Sequence, residues 1–393
     1  MSTLGHAPVR RWEPQVFTPF AESPGVVFAR TAARSAEFGT AGVSGAHGAG
    51  DVIVGSGAGG DRADVARRAR GELLERMGNI LAGRQAESAA RWPGSYEDWR
   101  RRGVPALDPA ALSGSTGDRA RRGLWVPARS LLTGDELLVP AGAVYLRHRP
   151  PAGRAAWIKA GSTGLGAHPD RREAAGHAAR EILERDLIRR SWYEAGAPAP
   201  PAARALPADL PSPVRDVVER RGEHVTVLSL PAPAGTVCAV VCVHAGDGTA
   251  QSFGARCAPV RHRAAAVVSA AYEALMVRWS MTGPAAVHAW AEWGGRTPPR
   301  SALEHALWAF HRQDSLGHWL NRPRRAAASW EAGPDDGPAA LAAYTGEDVL
   351  LVETDTPQIR AEGISVVRLI APGTRPLPSG DGGVPGTPPH PLG

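Results

Sequence analysis

Short apolar runs read as strands at Asp51–Val54, His224–Leu230, Val237–His244, Val349–Val352 and Ile364–Ile370. Two longer runs, Leu124–Leu132 and Glu136–Leu146, flank Thr133-Gly134-Asp135, a turn signal that predicts paired strands. Between them the pattern changes to Ala-rich stretches in which charges recur every three or four residues. That spacing predicts helices from Asp61 to about Ala82, over Arg171–Glu194, over Arg261–Trp279 and over Ser301–Phe310. Trp92–Ser113 is loop-rich, and Ala195–Pro213 is a Pro/Ala-rich linker. Residues 1–24 lack periodicity and read as an N-terminal arm. Residues 25–371 carry all the predicted elements, and 372–393 form a Pro-rich C-terminal tail. Strands and helices alternate irregularly, so the expected fold is mixed α/β (α+β) with a sizeable sheet.

One segment occurs twice. Gly55–Arg76 reads GSGAGGDRADVARRARGELLER and Gly164–Arg185 reads GLGAHPDRREAAGHAAREILER, at a constant offset of 109 with no gap. Each copy reads as a Gly-rich turn, an Ala-rich helix and then Glu-x-x-Glu-Arg. A helix brings residues three apart onto one face, so each copy offers two adjacent carboxylates with an arginine beside them. Arg261–Trp279 follows Gly254 and carries Glu273 and Arg278, a looser third version of the theme. Two or three such units can build one polyacidic pocket of the kind divalent metals need. The competing reading is a set of solvated helix faces in a chain rich in Ala, Gly and Arg.

Composition narrows the classes. The chain has 393 residues and 43% hydrophobic content, enough for a full core. Its net charge is only +6 because acids are interleaved with the arginines, and Lys159 is the single lysine. No block of like charge marks a nucleic-acid tail, so no nucleic-acid partner is expected. Cys238, Cys242 and Cys257 are odd in number and sit in or near apolar sequence, which points to packed thiols in a reducing cytoplasm. No apolar run approaches membrane-spanning length, and the N-terminus lacks a signal-peptide core.

Gly55, Gly57 and Gly60 form a G-x-G-x-x-G, the fingerprint of a flavin or nicotinamide enzyme. That fingerprint needs a second strand ending in an acid about 20 residues on. Here the helix instead runs into Gly83-Arg84-Gln85-Ala86-Glu87, and the turn recurs at Gly164 without the full motif. Glu173, His177 and Glu181 form one helix stripe, which suits a structural histidine better than a metal edge. There is no G-x-S-x-G and no Walker A. Helix carboxylates crowded together need cations to stay ionised. Magnesium supplies these with oxygen ligands and substrate phosphates, and Arg76, Arg185 and Arg278 could reach phosphate oxygens. The composition suits ATP use without a P-loop.

These residues resemble the YcaO-domain proteins. Arg68–Arg76 (RARGELLER) is similar to that family's S-A-x-x-E-x-x-E-R, and Ser162–Ala167 with Glu181–Asp186 (EILERD) to its S-N-G-x-A-x-G followed by E-x-x-E-R-D. Ala270–Arg278 (AAYEALMVR) is similar to A-L-T-E-x-x-Q-x-R, and Leu124–Leu146 to the stretch between motifs. Pro388–Gly393 (PPHPLG) resembles the proline-rich terminus of azoline-forming members. The resemblance implies a YcaO-like ATP-binding fold over residues 25–371. It implies Mg2+ at Glu72, Glu75, Glu181, Glu184 and Glu273, and nucleotide contacts from Arg76, Ser162, Arg185 and Arg278. It implies catalytic roles for His390 and Gly393 at the tail, where a base could accept the nucleophile's proton. The implied activity is a cyclodehydratase: Cys, Ser or Thr of a precursor peptide adds to the preceding amide, whose oxygen is phosphorylated by ATP and leaves, giving thiazoline or oxazoline. A separate E1-like leader-binding partner and a homodimer or a heterodimer with a homologue are implied as well. Arg68, Thr163, Met276 and Gly393 depart from the family's Ser, Asn, Gln and Pro. Thioamide or amidine formation, an ATP-deficient scaffold subunit and, more distantly, a FAD/NAD oxidoreductase remain open alternatives.

Overall fold

The computed structural model describes residues 12–34, 52–150, 157–194, 202–203, 210–312, 315–321, 333, 335–378 and 386–392. Among them lie three sheets. The first is antiparallel, β1 (Gln15–Phe17), β2 (Val27–Arg34) and β3 (Val52–Gly59). The second contains β4 (Trp92–Gly94), β5 (Gly123–Ser130), β6 (Glu136–Pro140), β7 (Leu165–His168), β12 (Leu350–Glu353) and β13 (Ser365–Ile370). Its order is β4-β5-β12-β13-β7, with β6 on β5. The third runs β11 (Ser252–Pro259), β10 (Thr236–Ala245), β9 (Glu223–Leu230) and β8 (Ala202–Ala203).

Three long helices fill the gaps between these sheets. The first, Arg62–Ala89, packs on β2 and β3 and also on β7 and β13. The second, Arg171–Tyr193, packs on β7 and β13 and also on β11 and β9. The third, Arg263–Met281, packs on β10 and β11 and also on β3. Helix and sheet therefore alternate around one axis. A helix clamped between two sheets must be apolar on two sides, and the burial of Val65, Ala69, Leu73, Leu74, Met77 and Ile80 meets that demand in the first. What remains is an outer edge facing water and an inner edge facing the axis.

Close helix approach depends on bare strands. A Cβ on Gly57 would lie 2.6 Å from the Val65 carbonyl oxygen, and one on Gly166 would collide with the Ala174 carbonyl, the same contact 109 residues on. Gly254 stands likewise against Ala270 in the third unit. The expected Gly-rich turn of the first copy is thus a strand, because β3 continues through Gly59. Gly164 does sit in a turn, with φ of +88°. The repeated aspartates cap their helices: Asp61 accepts from the Asp64 N–H, and Asp170 from those of Arg172 and Glu173. The G-x-G-x-x-G lies along an antiparallel strand pair, which removes the parallel βαβ crossover a dinucleotide fold requires.

Other boundaries differ from the pattern. The first helix runs to Ala89 instead of Ala82, since Gly83 lies against Tyr145 and Ala86 packs on the core around Val139 and Val144. Gln15–Phe17 of the expected arm pairs with β2, and Phe20 stacks edge-on with Phe28. The loop-rich stretch contains β4 and the helix Tyr96–Arg101. The end of the expected linker begins the helix Ser212–Arg220. No helix among the described residues is long and apolar enough to cross a membrane.

Candidate functional site

The inner edges of the three helices bring the predicted carboxylates together. Electrostatic contact runs from Glu72 to Glu75, from Glu75 to Glu181, from Glu181 to Glu184, from Glu184 to Glu273, and from Glu273 back to Glu72. Each helix contributes, so the ring closes only in the folded chain. Four of the five also accept a backbone N–H hydrogen bond, three from strands and one from the turn before β7. Glu72 takes that of Ser56 at 2.6 Å, Glu181 that of Gly164 at 3.2 Å, Glu184 that of Cys257 at 2.9 Å and Glu273 that of Ala255 at 3.2 Å. These bonds fix the carboxylates without neutralising them.

The electrostatics show the strain of that gathering. Burial, then Glu181 and Glu72, pushes the Glu75 carboxyl well above the usual range. Burial raises Glu181 and Glu273 against the pull of Arg185, and Glu184 is pushed up to about 7. Glu184 is 6% exposed, whereas Glu75, Glu181 and Glu273 keep some surface open toward the cleft. Arg185 stands among Glu184, Glu181 and Glu273, which outweigh burial and hold its guanidinium more firmly charged. Buried carboxylates that resist ionisation together are a site short of cations. No set of three or more His, Cys, Asp or Glu side chains among the described residues is drawn tightly enough to hold a metal as it stands. The donor chemistry, all carboxylate oxygen, fits a hard divalent cation that would complete the neutralisation.

The predicted arginines divide. Arg76 pairs with Glu72 at 2.5 Å and donates to the Val54 carbonyl. Arg185 lies inside the cluster. Arg278 does not join it: its Nε donates to Glu223 at 2.6 Å, its Nη1 to the Ala250 carbonyl, and it lies over Phe310. It is five residues beyond Glu273, about 140° around the helix, whereas Arg76 and Arg185 stand four beyond Glu72 and Glu181. Helical arithmetic alone separates Arg278 from the phosphate-lining role. Ser162 lies in the turn that precedes β7, its carbonyl accepting the Leu165 N–H. Arg68, the departure from Ser, is held by the Ala58 carbonyl at 2.7 Å and by Asp64 at 2.9 Å. His177 packs edge-on against His168, and burial pushes it down to about 4.

The tail is packed. Trp192 Nε1 donates to the Pro388 carbonyl at 2.7 Å, the His390 N–H donates to Tyr193 at 3.2 Å, and Leu392 is buried. The His390 ring stacks on His305 at 3.8 Å, and its Nε2 contacts the Pro378 carbonyl. The tail thus lies along the C-terminal end of the second helix, where the charge of Arg185 bears on His390. Burial and His305 push His390 down to about 3. Burial thus keeps the imidazole neutral and lowers its proton affinity. Its contacts are those of an anchor. Gly393 lies outside the described residues.

Sequence reasoning missed Arg368 on β13. It is 6% exposed, donates through Nη1 to the Gly161 carbonyl at 2.7 Å, and faces both Glu181 and Glu75. Burial lowers it to about 10 against those two carboxylates. The signal was present, since one charge in the otherwise apolar run Ser365–Ile370 is a buried cation in need of a partner. Asp186 is buried and accepts from the Arg375 N–H, Arg190 and Tyr344, tying the segment after β13 to the second helix.

Comparison with known proteins identifies the family and the fold. Residues 55–375 match the model of the YcaO cyclodehydratase family, described as ATP- and Mg2+-binding. An uncharacterised protein of Methanothermobacter thermautotrophicus is 33% identical over 140 residues, 34% of this chain and 36% of that protein. The chain thus matches only about a third of that relative's length. Among solved structures, a heterocyclase in complex with substrate and cofactor has a TM-score of 0.67 at 17% identity, over 92% of this chain and 50% of its own. The YcaO protein of Methanopyrus kandleri bound with AMPPCP and Mg2+ gives 0.56 at 18%, over 92% and 86%. The E. coli microcin synthetase McbBCD complex gives 0.61 at 11%, over 93% and 90%.

Proposed function

The chain belongs to the YcaO family, and from that premise we propose that it is an ATP- and Mg2+-dependent cyclodehydratase. Its substrate is Cys, Ser or Thr in a ribosomally made precursor peptide, and its product is a thiazoline or oxazoline. The observation that carries this reading is the closed ring of Glu72, Glu75, Glu181, Glu184 and Glu273 delivered by three helices. These carboxylates would hold the magnesium, with Arg76 and Arg185 beside the phosphates. When bound, the nucleotide supplies the phosphoryl group that turns an amide oxygen into a leaving group.

The chain's own residues supply the setting. Backbone N–H groups of three strands and one turn hold four carboxylates in fixed orientation, so little reorganisation is needed when the cations arrive. Arg185 and Arg368 place positive charge at two sides of the ring, where transferring phosphate charge needs it. The buried imidazole stack of His305 and His390 anchors the described part of the tail, and in this reading the tail borders the reacting amide. A leader-binding E1-like protein would deliver the peptide. The McbBCD complex is an assembly of that fold with bound pro-MccB17 in a related structure, which supports a partnered enzyme.

The test is to incubate the chain with ATP, Mg2+, a neighbouring-gene precursor peptide and its leader-binding partner, and to measure loss of water from the peptide by mass spectrometry. Dehydration that disappears in Glu184→Gln supports the reading. Dehydration unaffected by that substitution removes the ring from the reaction. A scaffold role has one observation in its favour: Arg68 is tied to Ala58 and Asp64 beside β3, where the family carries a small hydroxyl. Calorimetry with Mg2+ and ATP separates the two, because a scaffold binds no nucleotide with or without the partner.

A further inference from the structure

A cavity of about 290 Å3 opens beside the carboxylate ring, bounded by the turn Gly161–Thr163, β13 and the segment that follows it. Lys159, Arg368 and Arg375 line it, and no Asp or Glu does. Lys159 is the only lysine in the chain. Among the described residues neither Lys159 nor Arg375 forms a side-chain ion pair. Arg368 is 94% buried, by its 6% exposure, and its Nε has no hydrogen-bond partner. Arg368 already faces Glu181 and Glu75 from one side, and the exposed Lys159 and Arg375 add positive charge at the cavity rim, so the orphaned Nε and the two rim cations together favour an anionic acceptor here. The remaining wall is mostly apolar, with Trp157, Ile158 and Ile370, and also carries the hydroxyls of Ser113, Thr163 and Thr374.

We propose that this cavity is a substrate subsite that takes the side chain of an acidic residue next to the reacting Cys, Ser or Thr of the peptide. The claim rests on the cyclodehydratase reading and names the substrate class more narrowly. Its position fits: Thr163 lines the cavity, and the next residue, Gly164, donates its N–H to Glu181 of the ring. A residue flanking an amide held at the ring therefore lies at the cavity mouth. Its size fits one side chain and is too small for a nucleotide. Its chemistry fits methylenes that end in a carboxylate. Phosphate would leave the apolar part of the wall unfilled.

The probe is a pair of fluorescein-labelled short peptides in which Glu or Gln flanks a single Cys. Their binding to the wild-type chain is read by anisotropy with EDTA present. The Glu peptide should bind at least about 10-fold tighter than the Gln peptide, roughly 1.4 kcal/mol. In Lys159→Met/Arg375→Met the preference should fall to within about 2-fold, as loss of solvent-shared charge attraction predicts. Lys159→Arg should retain it, which guards against a folding artefact, and circular dichroism checks each variant. Equal binding of the two peptides to wild type overturns the proposal. So does displacement of both by inorganic phosphate with no Glu preference, which would give the cavity to phosphate. Mg2+-ATP binding is measured on the same protein preparations without EDTA. If it persists while the peptide preference is absent, only the subsite fails; if it is absent too, the cyclodehydratase reading fails.

Discussion

Glu184 offers the sharpest test of the carboxylate ring, through stability without metal. Its carboxyl stands at about 7 against an ordinary 4.5, because burial outweighs Arg185. Between those values the folded chain holds a proton that the unfolded chain has lost. Stability is therefore fully present below about pH 4.5 and declines as pH rises toward about 7. The difference of about 2.5 pH units corresponds to roughly 3 kcal/mol. For a chain of this length that is about 4 °C in Tm. Glu184→Gln fixes the neutral state and keeps an oxygen to accept the Cys257 N–H. With EDTA present, the variant should match wild type near about pH 5 and exceed it by about 3 kcal/mol near about pH 8. Urea unfolding followed by circular dichroism at several pH values measures this. Glu75, Glu181 and Glu273 are raised too, so the variant should keep part of the slope and lose one residue's share. An unchanged slope, or a wild type that gains stability with pH, would refute the account of the ring as a site short of cations.

Three further outcomes follow from the same structure. Mg2+-ATP affinity, measured by calorimetry, should rise from about pH 5 to about pH 8 as the raised carboxyls ionise, and should fall at least about 10-fold in Glu184→Gln. Gly57→Ala should cost about 1–3 kcal/mol, because its Cβ meets the Val65 carbonyl, whereas Gly71→Ala, with open space in the first helix, should gain up to about 1 kcal/mol; urea midpoints compare them. Removing Pro388–Gly393 deletes buried Leu392 and the Trp192–Pro388 bond and should cost about 2–4 kcal/mol. Azoline yield should vanish while nucleotide binding stays; an unchanged yield would make the tail a structural seal alone.

Much of the site was legible because its periodicity is local. Glu-x-x-Glu-Arg places its carboxylates on one helix face wherever that helix goes, and Asp61 and Asp170 cap their own first turns. Those features depend on a few consecutive residues, so the repeat at an offset of 109 exposed them. The same arithmetic excludes Arg278, whose extra residue turns it toward Glu223. Packing decided the rest. Only the gap between two sheets makes Gly55 and Gly57 strand residues under a helix, because a turn and a bare strand read alike in sequence. Only the placement of β13 beside β7 brings Arg368, far along the chain from both, against Glu181 and Glu75. The raised carboxyls have the same origin: proximity across three helices and loss of water are properties of the assembled interior, and no single segment carries either.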